Sequence, residues 1–594
     1  QDKTKLRWII FVCLSVVVIF LYLHLFYNRA YLELEISSNI KREYFKIYWA
    51  GDAQPFSEDR SVALKIHGGK RRHYGLYFTD LRKVRHLRID PGNKLGKKKI
   101  HTIVLTQEEI KPIKLHGHGF KNLEVVRDIS TVAIGRDGIL IEATGPDPSL
   151  LWNIKPKIVS SGVSVEPIRV ITLVILSWLL AYGLTATSDL LIRMEDTLWW
   201  LVLGLVIIMA FTSAYNMHPD EYVHASAGKY YETHWLPPEI CQPDTADTYS
   251  VYGVSRLTSK EIVYFLSGKV ASVFSFLPIF GYLRLRLFNV LLFVLIVLSW
   301  HRHKQGALLF LPFLITPQVW YVFSYMNSDA FACFVALVLC QQFAFKETFL
   351  KRCWYAQEGA PWLLPRTIAA GMLLGLLLFT KPNYYIIYVF LGGYLLLEIF
   401  FSRQGVKVPW RRVAGLLGGV LVIGAIAFGP NILVNGFDRK QKINECRDRL
   451  ATTPYKPSTP LAQKSPNLHL KQRGYRIGYL IKERKWFGIV FRSSVGVFGY
   501  MKYAGPQKYY NTMRVLLIIL LVSVFAMGLA GSDPKGRLLM LWTLGCVFLL
   551  IAIVLYRCWV ADFQSQGRYL LPVLPMAGFM MHKVRSAIDR PLLH

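Results

Sequence analysis

The sequence predicts a polytopic α-helical membrane protein of about 12 spans, with an extracytoplasmic β-sandwich domain inserted after the first span. Three observations carry that expectation. Hydrophobic residues make up 53% of the 594 and charged residues only 18%, below the quarter usual for soluble globular chains. Apolar runs near spanning length recur from about residue 168 to the end. Between 30 and 165 the pattern changes to period-two alternation. Disordered, collagen-like and disulfide-framework classes are excluded by the same figures.

The formal net charge is +32. Much of it sits in short loops between apolar runs, as cytoplasmic flanks require, and no finger, zipper or RNA-binding signature accompanies it. Nucleic acid is therefore not an expected partner, whereas the lipid bilayer is. The eight cysteines show no CxxC spacing, which excludes a zinc ribbon or redox motif.

Residues 1–29 read as a membrane anchor. The run at 8–26 follows Lys3, Lys5 and Arg7, and His24, Phe26 and Tyr27 stand where a signal peptide would need small residues, so the reading is an uncleaved anchor. Residues 30–165 alternate in short stretches (Leu32, Leu34, Ile36; Phe45, Ile47, Trp49; Val62, Leu64, Ile66; Ile103, Leu105) separated by Gly/Pro/Asn/Asp turns, the pattern of an antiparallel sandwich. Residues 166–594 carry the remaining runs: 168–187, 198–215, 281–300, 306–323, 329–347, 367–380, 384–401, 413–433, 512–530, 536–556 and 568–582. Alternate numbering makes 301–305, Lys346 with Lys351 and Arg352, 403–412, 533–537 and the tail with Lys583 and Arg585 cytoplasmic, all of them basic. The stretch 261–280 reads as an amphipathic helix or re-entrant pair in the outer interface.

The other face, with long loops at 216–280 and 436–511, collects the unusual polar sequence. Asp220 and Glu221 directly follow a span. Either carboxylate can serve as a general base, and Asp220 is equally placed to cap the helix that follows. His218 and His224 are six residues apart, a spacing that does not favour a metal, and no cofactor is expected. Lys381 and Arg568, at outer span ends, read as a phosphate clamp or as snorkelling anchors. Asn327 and Asp329 precede an apolar run and either start its helix or face a polar substrate. The 436–511 loop holds 16 Lys and Arg against 4 Asp and Glu, interleaved with aromatics, a surface suited to lipid phosphate or an acidic glycan. Cys241 and Cys446 both fall in outer loops, where an oxidising compartment would allow a disulfide, although Cys558 is external as well.

Taken together, these residues resemble the GT-C superfamily of membrane glycosyltransferases over about 165–594. The acidic pair Asp220–Glu221 after an early span matches that superfamily's catalytic motif. The combination of PDExxH (Pro219 to His224), NSD (Asn327 to Asp329), TKPNY (Thr380 to Tyr384) and QGRYLLP (Gln566 to Pro572) resembles a bacterial family of uncharacterised membrane proteins. The β-rich insert, with LRIDPGN at 87–93, is similar to the jelly-roll modules of mycobacterial arabinosyltransferases. The resemblance implies an inverting enzyme of the bacterial cytoplasmic (inner) membrane that acts on the periplasmic face. It would move a sugar from a polyprenyl-phosphate donor to a surface polysaccharide (O-antigen-like) or protein acceptor. Asp220 or Glu221 would act as base, Lys381 and Arg568 would hold the donor phosphate, and His218, His224, Asn327, Asp329, Tyr384, Gln566 and Tyr569 would line the substrate site. A polysaccharide polymerase, ligase or flippase, or a glycan-binding scaffold, would also fit a basic polytopic chain.

Overall fold

A computed structural model describes residues 3–585 except 53, 93–94, 108, 146, 155–157, 160–169, 172, 176, 179–188, 214, 278, 304–305, 357–361, 402–409 and 502. The chain divides into two compact units, residues 1–186 with 505–523, and 187–504 with 524–594.

The first unit begins with α1 (Lys3–Tyr22) and continues into nine strands: β1 (Tyr31–Ala50), β2 (Ser61–Tyr77), β3 (His86–Asp90), β4 (Gly96–Gln107), β5 (Ile110–His116), β6 (Leu123–Arg127), β7 (Ile129–Gly135), β8 (Gly138–Ala143) and β9 (Ser149–Asn153). They form one hydrogen-bonded network in the order β6-β9-β3-β1-β4-β8-β7, with β2 also paired to β1 and β5 to β4. All these pairs are antiparallel. The long β1 pairs β4 along its first half and β3 along its last five residues. Its inward residues are even-numbered at Leu32, Leu34 and Ile36 and odd-numbered at Phe45 and Ile47, all under 3% exposed. Because side chains alternate faces along a strand, this change of parity needs an inserted residue. The register shifts of β1 against β2 between Ile36 and Arg42 mark where the irregularity lies.

One buried ion pair sits in this β core. Lys98 Nζ lies 3.0 Å from a Glu43 carboxylate oxygen, with neither side chain exposed, and the Ser38 hydroxyl donates to the other oxygen at 2.6 Å. Gly92, in the LRIDPGN turn, leaves the space it needs: a Cβ there would fall 2.0 Å from Glu43 Oε2. The strands end at Asn153; the expected domain edge near 165 lies outside the described residues, as does most of the expected span 168–187, whose described residues 170–171, 173–175 and 177–178 are helical.

The second unit is helical. It contains α2 (Asp189–Thr212), α3 (Glu221–Thr233), α4 (Val263–Val273), α5 (Gly281–Arg302), α6 (Ala307–Leu314), α7 (Pro317–Phe323), α8 (Ser328–Ala344), α9 (Phe349–Tyr355), α10 (Leu363–Gly375), α11 (Ile386–Phe400), α12 (Trp410–Asn435), α13 (Arg439–Leu450), α14 (Ile477–Lys482) and α15 (Trp486–Val495). A two-strand hairpin follows, β10 (Val497–Phe498) with β11 (Tyr503–Ala504), then α16 (Gln507–Gly531), whose first part belongs to the first unit, α17 (Pro534–Val560) and α18 (Val573–Lys583).

Among the described residues five helices are long and apolar enough to cross a membrane: α5, Pro382–Phe400, α12, α16 and α17. Several other expected runs are shorter or broken. The run at 306–323 is interrupted ahead of Pro317, and α7 meets α8 at 115°. The 261–280 stretch forms only the short helix α4 with a 3₁₀ turn to Phe276. α4 packs closely on α3 through glycines, since a Cβ at Gly268 would lie 2.4 Å from the Gly228 carbonyl.

Cys241 and Cys446 are disulfide-bonded, their Cα atoms 5.7 Å apart. Nearby, the Ile240 N–H donates to Asn435 Oδ1 at 2.9 Å and Asn435 Nδ2 donates to the Pro238 carbonyl at 3.2 Å. The segment after α3 is thus fastened to the end of α12 and to α13.

Candidate active site

The two adjacent carboxylates have opposite surroundings. Asp220 has a left-handed backbone (φ 59°, ψ 12°), a region Asp tolerates better than most residues. Its carbonyl begins α3 by accepting from the Val223 and His224 N–H groups. Its side chain caps nothing. Instead the half-exposed carboxylate receives Arg568 Nη2 at 3.3 Å. Glu221 is fully buried and takes a two-bond grip from Arg286, Nε to Oε1 at 2.6 Å and Nη2 to Oε2 at 2.9 Å. The Asn216 N–H donates to the same Oε2 at 3.0 Å. Arg286 also donates to the carbonyls of Ala210 and Ser213, each at 2.7 Å, which joins the end of α2 to α3 and α5. Both oxygens of Glu221 are thus occupied in a sealed ion pair, whereas Asp220 keeps a half-exposed carboxylate.

His218 is structural as well. Its Nε2–H donates to Ser213 Oγ at 2.8 Å, since that hydroxyl is itself committed to the Met209 carbonyl. Its Nδ1 accepts from the Tyr321 hydroxyl at 2.9 Å, and its ring stacks on Tyr325 at 4.5 Å. Burial, with the Arg286 charge nearby, lowers its pKa from 6.5 to about 3, so the ring is neutral. Tyr321 also accepts the Gly499 N–H at 2.9 Å. The Tyr500 hydroxyl donates to Asn216 Oδ1 at 2.8 Å, which holds the β10–β11 turn against the turn that carries Asp220. Gly499, Tyr500 and Met501 are consecutive left-handed residues there.

Asn327 occupies the 115° corner between α7 and α8 and serves both helix ends. Its Nδ2 donates to the Val322 and Tyr325 carbonyls at 2.6 and 2.8 Å, and its Oδ1 accepts the Ala330 N–H at 3.0 Å. Those are groups a helix end leaves unpaired. The side chain is fully buried and both its polar atoms are engaged in capping, which is the role the structure gives Asn327. It does fix Asp329 in the first turn of α8, fully buried, where Lys381 Nζ reaches Oδ2 at 2.6 Å. Arg568 Nη1 stands 3.9 Å from the same oxygen. Burial, reinforced by the Arg568 charge, pulls Lys381 below the usual lysine range against the opposing pull of Asp329.

Tyr384 donates to the Asp329 carbonyl at 3.3 Å from a fully buried position. The Arg568 guanidinium lies 5.7 Å from the Tyr569 ring centre, whose hydroxyl donates to Gln564 at 2.6 Å. Asn383 ties the two motifs together by donating to the Tyr569 carbonyl at 3.1 Å. His224 Nδ1 is paired with the Tyr264 hydroxyl at 2.8 Å, while its buried Nε2 has no hydrogen-bond partner. Gln566 precedes the turn that carries Arg568 and is only partly buried. The structure thus brings Asp220, Asp329, Lys381 and Arg568 into one cluster, with His224, Tyr384 and Tyr569 around it. His218, Glu221 and Asn327 support it from behind.

Four residues join the cluster unannounced by any motif. Arg256 is within electrostatic range of Asp220 and Arg568 and stands 4.0 Å from Glu261. Tyr264 bridges His224 and Glu261. Arg286 and Asn289, polar residues inside an apolar helix, were themselves the available signal, since such residues are costly unless paired. Asn289 Nδ2 donates to the Tyr325 carbonyl at 2.6 Å.

Two atoms mark the cluster as more than a closed ion network. Arg568 is 7% exposed, yet its Nε and Nη1 have no hydrogen-bond partner. Buried guanidinium N–H groups are usually satisfied, so both atoms keep donor capacity for a further acceptor. Among the described residues no group of three metal-ligating side chains occurs. No protein-family model matches the chain, and no curated protein matches it.

Proposed function

We propose that the chain is an inverting glycosyltransferase of the GT-C type, a polytopic protein of the bacterial inner membrane with its site on the periplasmic face. Its donor is a polyprenyl-phosphate-linked sugar, and its acceptor is a hydroxyl of a surface polysaccharide or protein. The observation that carries this reading is the juxtaposition of the half-exposed Asp220 carboxylate with Arg568, a buried guanidinium holding two unpartnered donors. In the reaction Asp220 takes the proton of the acceptor hydroxyl, whose oxygen attacks the anomeric carbon. The bond from that carbon to the phosphate oxygen breaks, and the electron pair leaves with the lipid phosphate.

Arg568 exchanges its contact with Asp220 for the departing phosphate, and Lys381 adds a second positive charge. The Glu221–Arg286 pair and Asn327 hold the two carriers, α3 and α8, at fixed depth. The test is turnover of polyprenyl-monophosphate sugars by the purified chain, read as release of polyprenyl phosphate. Asp220→Asn is expected to lower it at least ~10²-fold. Wild-type turnover in that variant would remove Asp220 from the mechanism.

A further inference from the structure

The helices that hold the acidic cluster at one end hold a second, differently built feature at the other. Asp329 lies in the first turn of α8, and Ala344 ends that helix. Arg286 lies near the start of α5, and Arg302 ends it. At ~1.5 Å per residue the two named residues on either helix are about 22–24 Å apart. At this far end lies a cavity of about 1230 Å³, larger than the few hundred to ~1,000 Å³ of ordinary ligand sites.

Its polar lining is basic: Arg302, Lys346, Lys351, Lys583 and Arg585, together with histidines. These residues come from connections far apart in the chain, the very basic segments that sequence assigns to the cytoplasmic side. Glu398 is the acidic residue of the lining; it is paired with Lys535 at 2.8 Å and its single charge also attracts Lys351 and Lys583. Lys351 and Lys583 repel each other and lie within electrostatic range of Lys535. A concave wall of one sign concentrates counter-ions of the other. The rest of the lining is hydrocarbon, including Phe343, Leu374, Leu395, Val413 and Leu416. Free inorganic anions gain nothing from such a surface, whereas an acyl or prenyl chain does.

We infer that this cavity binds a long-chain phosphate, with the phosphate on the Lys351–Lys583 side and its chain along α10, α11 and α12. The site is separate from the acidic cluster and does not rest on the glycosyltransferase reading.

A photoreactive hexadecyl phosphate carrying a diazirine on its chain tests it on the intact protein in detergent, with labelled peptides mapped by mass spectrometry. Label is expected on the peptides of α10, α11 and α12 that carry Leu374, Leu395, Val413 and Leu416. It should fall at least tenfold in Lys351→Gln/Lys583→Gln, persist in Lys583→Arg, and be unchanged in Lys381→Gln. The matching hexadecanol probe should label at least tenfold less. Inorganic phosphate at the same concentration should not compete. Competition by phosphatidylglycerol as well as by hexadecyl phosphate would assign the site to bilayer phospholipid, and competition by the monoester alone to a phosphorylated lipid carrier; either supports the inference. Equal labelling in the double variant with its melting temperature intact would overturn it, as would equal labelling by the alcohol, or full displacement by inorganic phosphate.

Discussion

Arg286 holds Glu221 with two hydrogen bonds, at 2.6 and 2.9 Å, and both side chains are at most 1% exposed. A charge pair of this kind contributes little by existing, because desolvation offsets the attraction, but removing one partner strands the other. Glu221→Gln is therefore expected to destabilise the helical unit by about 3–5 kcal/mol. Asp220→Asn, at a half-exposed position, should change stability by under ~1 kcal/mol. Thermal unfolding in detergent separates the two, and equal melting temperatures for both variants would refute the division of labour between these neighbours.

Arg568 leads to the second prediction. A snorkelling anchor tolerates Lys, whereas a group that offers a planar fork to a phosphate does not. Arg568→Lys should weaken binding of the lipid-linked donor at least ~10-fold, the cost of about one charge-assisted hydrogen bond. Arg411→Lys, at an exposed site, should leave it unchanged. Equilibrium binding of the donor to each variant is the measurement.

His218 makes part of the stability depend on pH. Its folded value of about 3 lies below the ordinary 6.5, so between those limits the unfolded chain binds a proton that the folded one refuses. Its contribution is complete above about pH 6.5 and is lost as pH falls toward 3, at up to ~1.4 kcal/mol per unit. Thermal unfolding from pH 4 to 8 should show a shallower acid limb in His218→Gln than in wild type. Parallel limbs would mean that the ring takes up its proton equally in the folded and unfolded chain.

Gly567 precedes Arg568 at a point where backbones touch. Its N–H donates to Ser493 Oγ at 2.7 Å, and a Cβ would fall 2.3 Å from the Ser494 nitrogen. Gly567→Ala should cost about 1–3 kcal/mol and should reduce turnover beyond what the lost folded fraction explains, since the turn that aims the guanidinium must shift. Turnover per folded molecule, with the folded fraction taken from thermal unfolding, decides it.

The β unit was legible because alternation is a local signal: Leu32, Leu34, Phe45 and Ile47 all turned inward. What alternation could not show was the bulge in β1 that reconciles even and odd positions, since it depends on pairing with β2. In the helical unit the motif residues Asp220, Asp329, Lys381 and Arg568 were visible as polar sequence at span ends. The separate fates of Asp220 and Glu221 were not, because they depend on a left-handed backbone and on an arginine 65 residues further on. Arg286 itself was discoverable, being a charge within an apolar helix. Arg256 was hidden in a polar loop that read as ordinary water-facing sequence. The runs at 306–323 and 568–582 had the hydropathy of spans, but Pro317, Asn327 and the Arg568 turn cut or shorten the helices that form there.

The Cys241–Cys446 bond, 205 residues apart in sequence, makes a covalent ring of everything from the loop after α3 to α13. A single backbone cut anywhere inside that ring leaves one molecule, not two. On a denaturing gel without reductant such a nicked chain runs as a joined species, and it splits into fragments only when thiol is added.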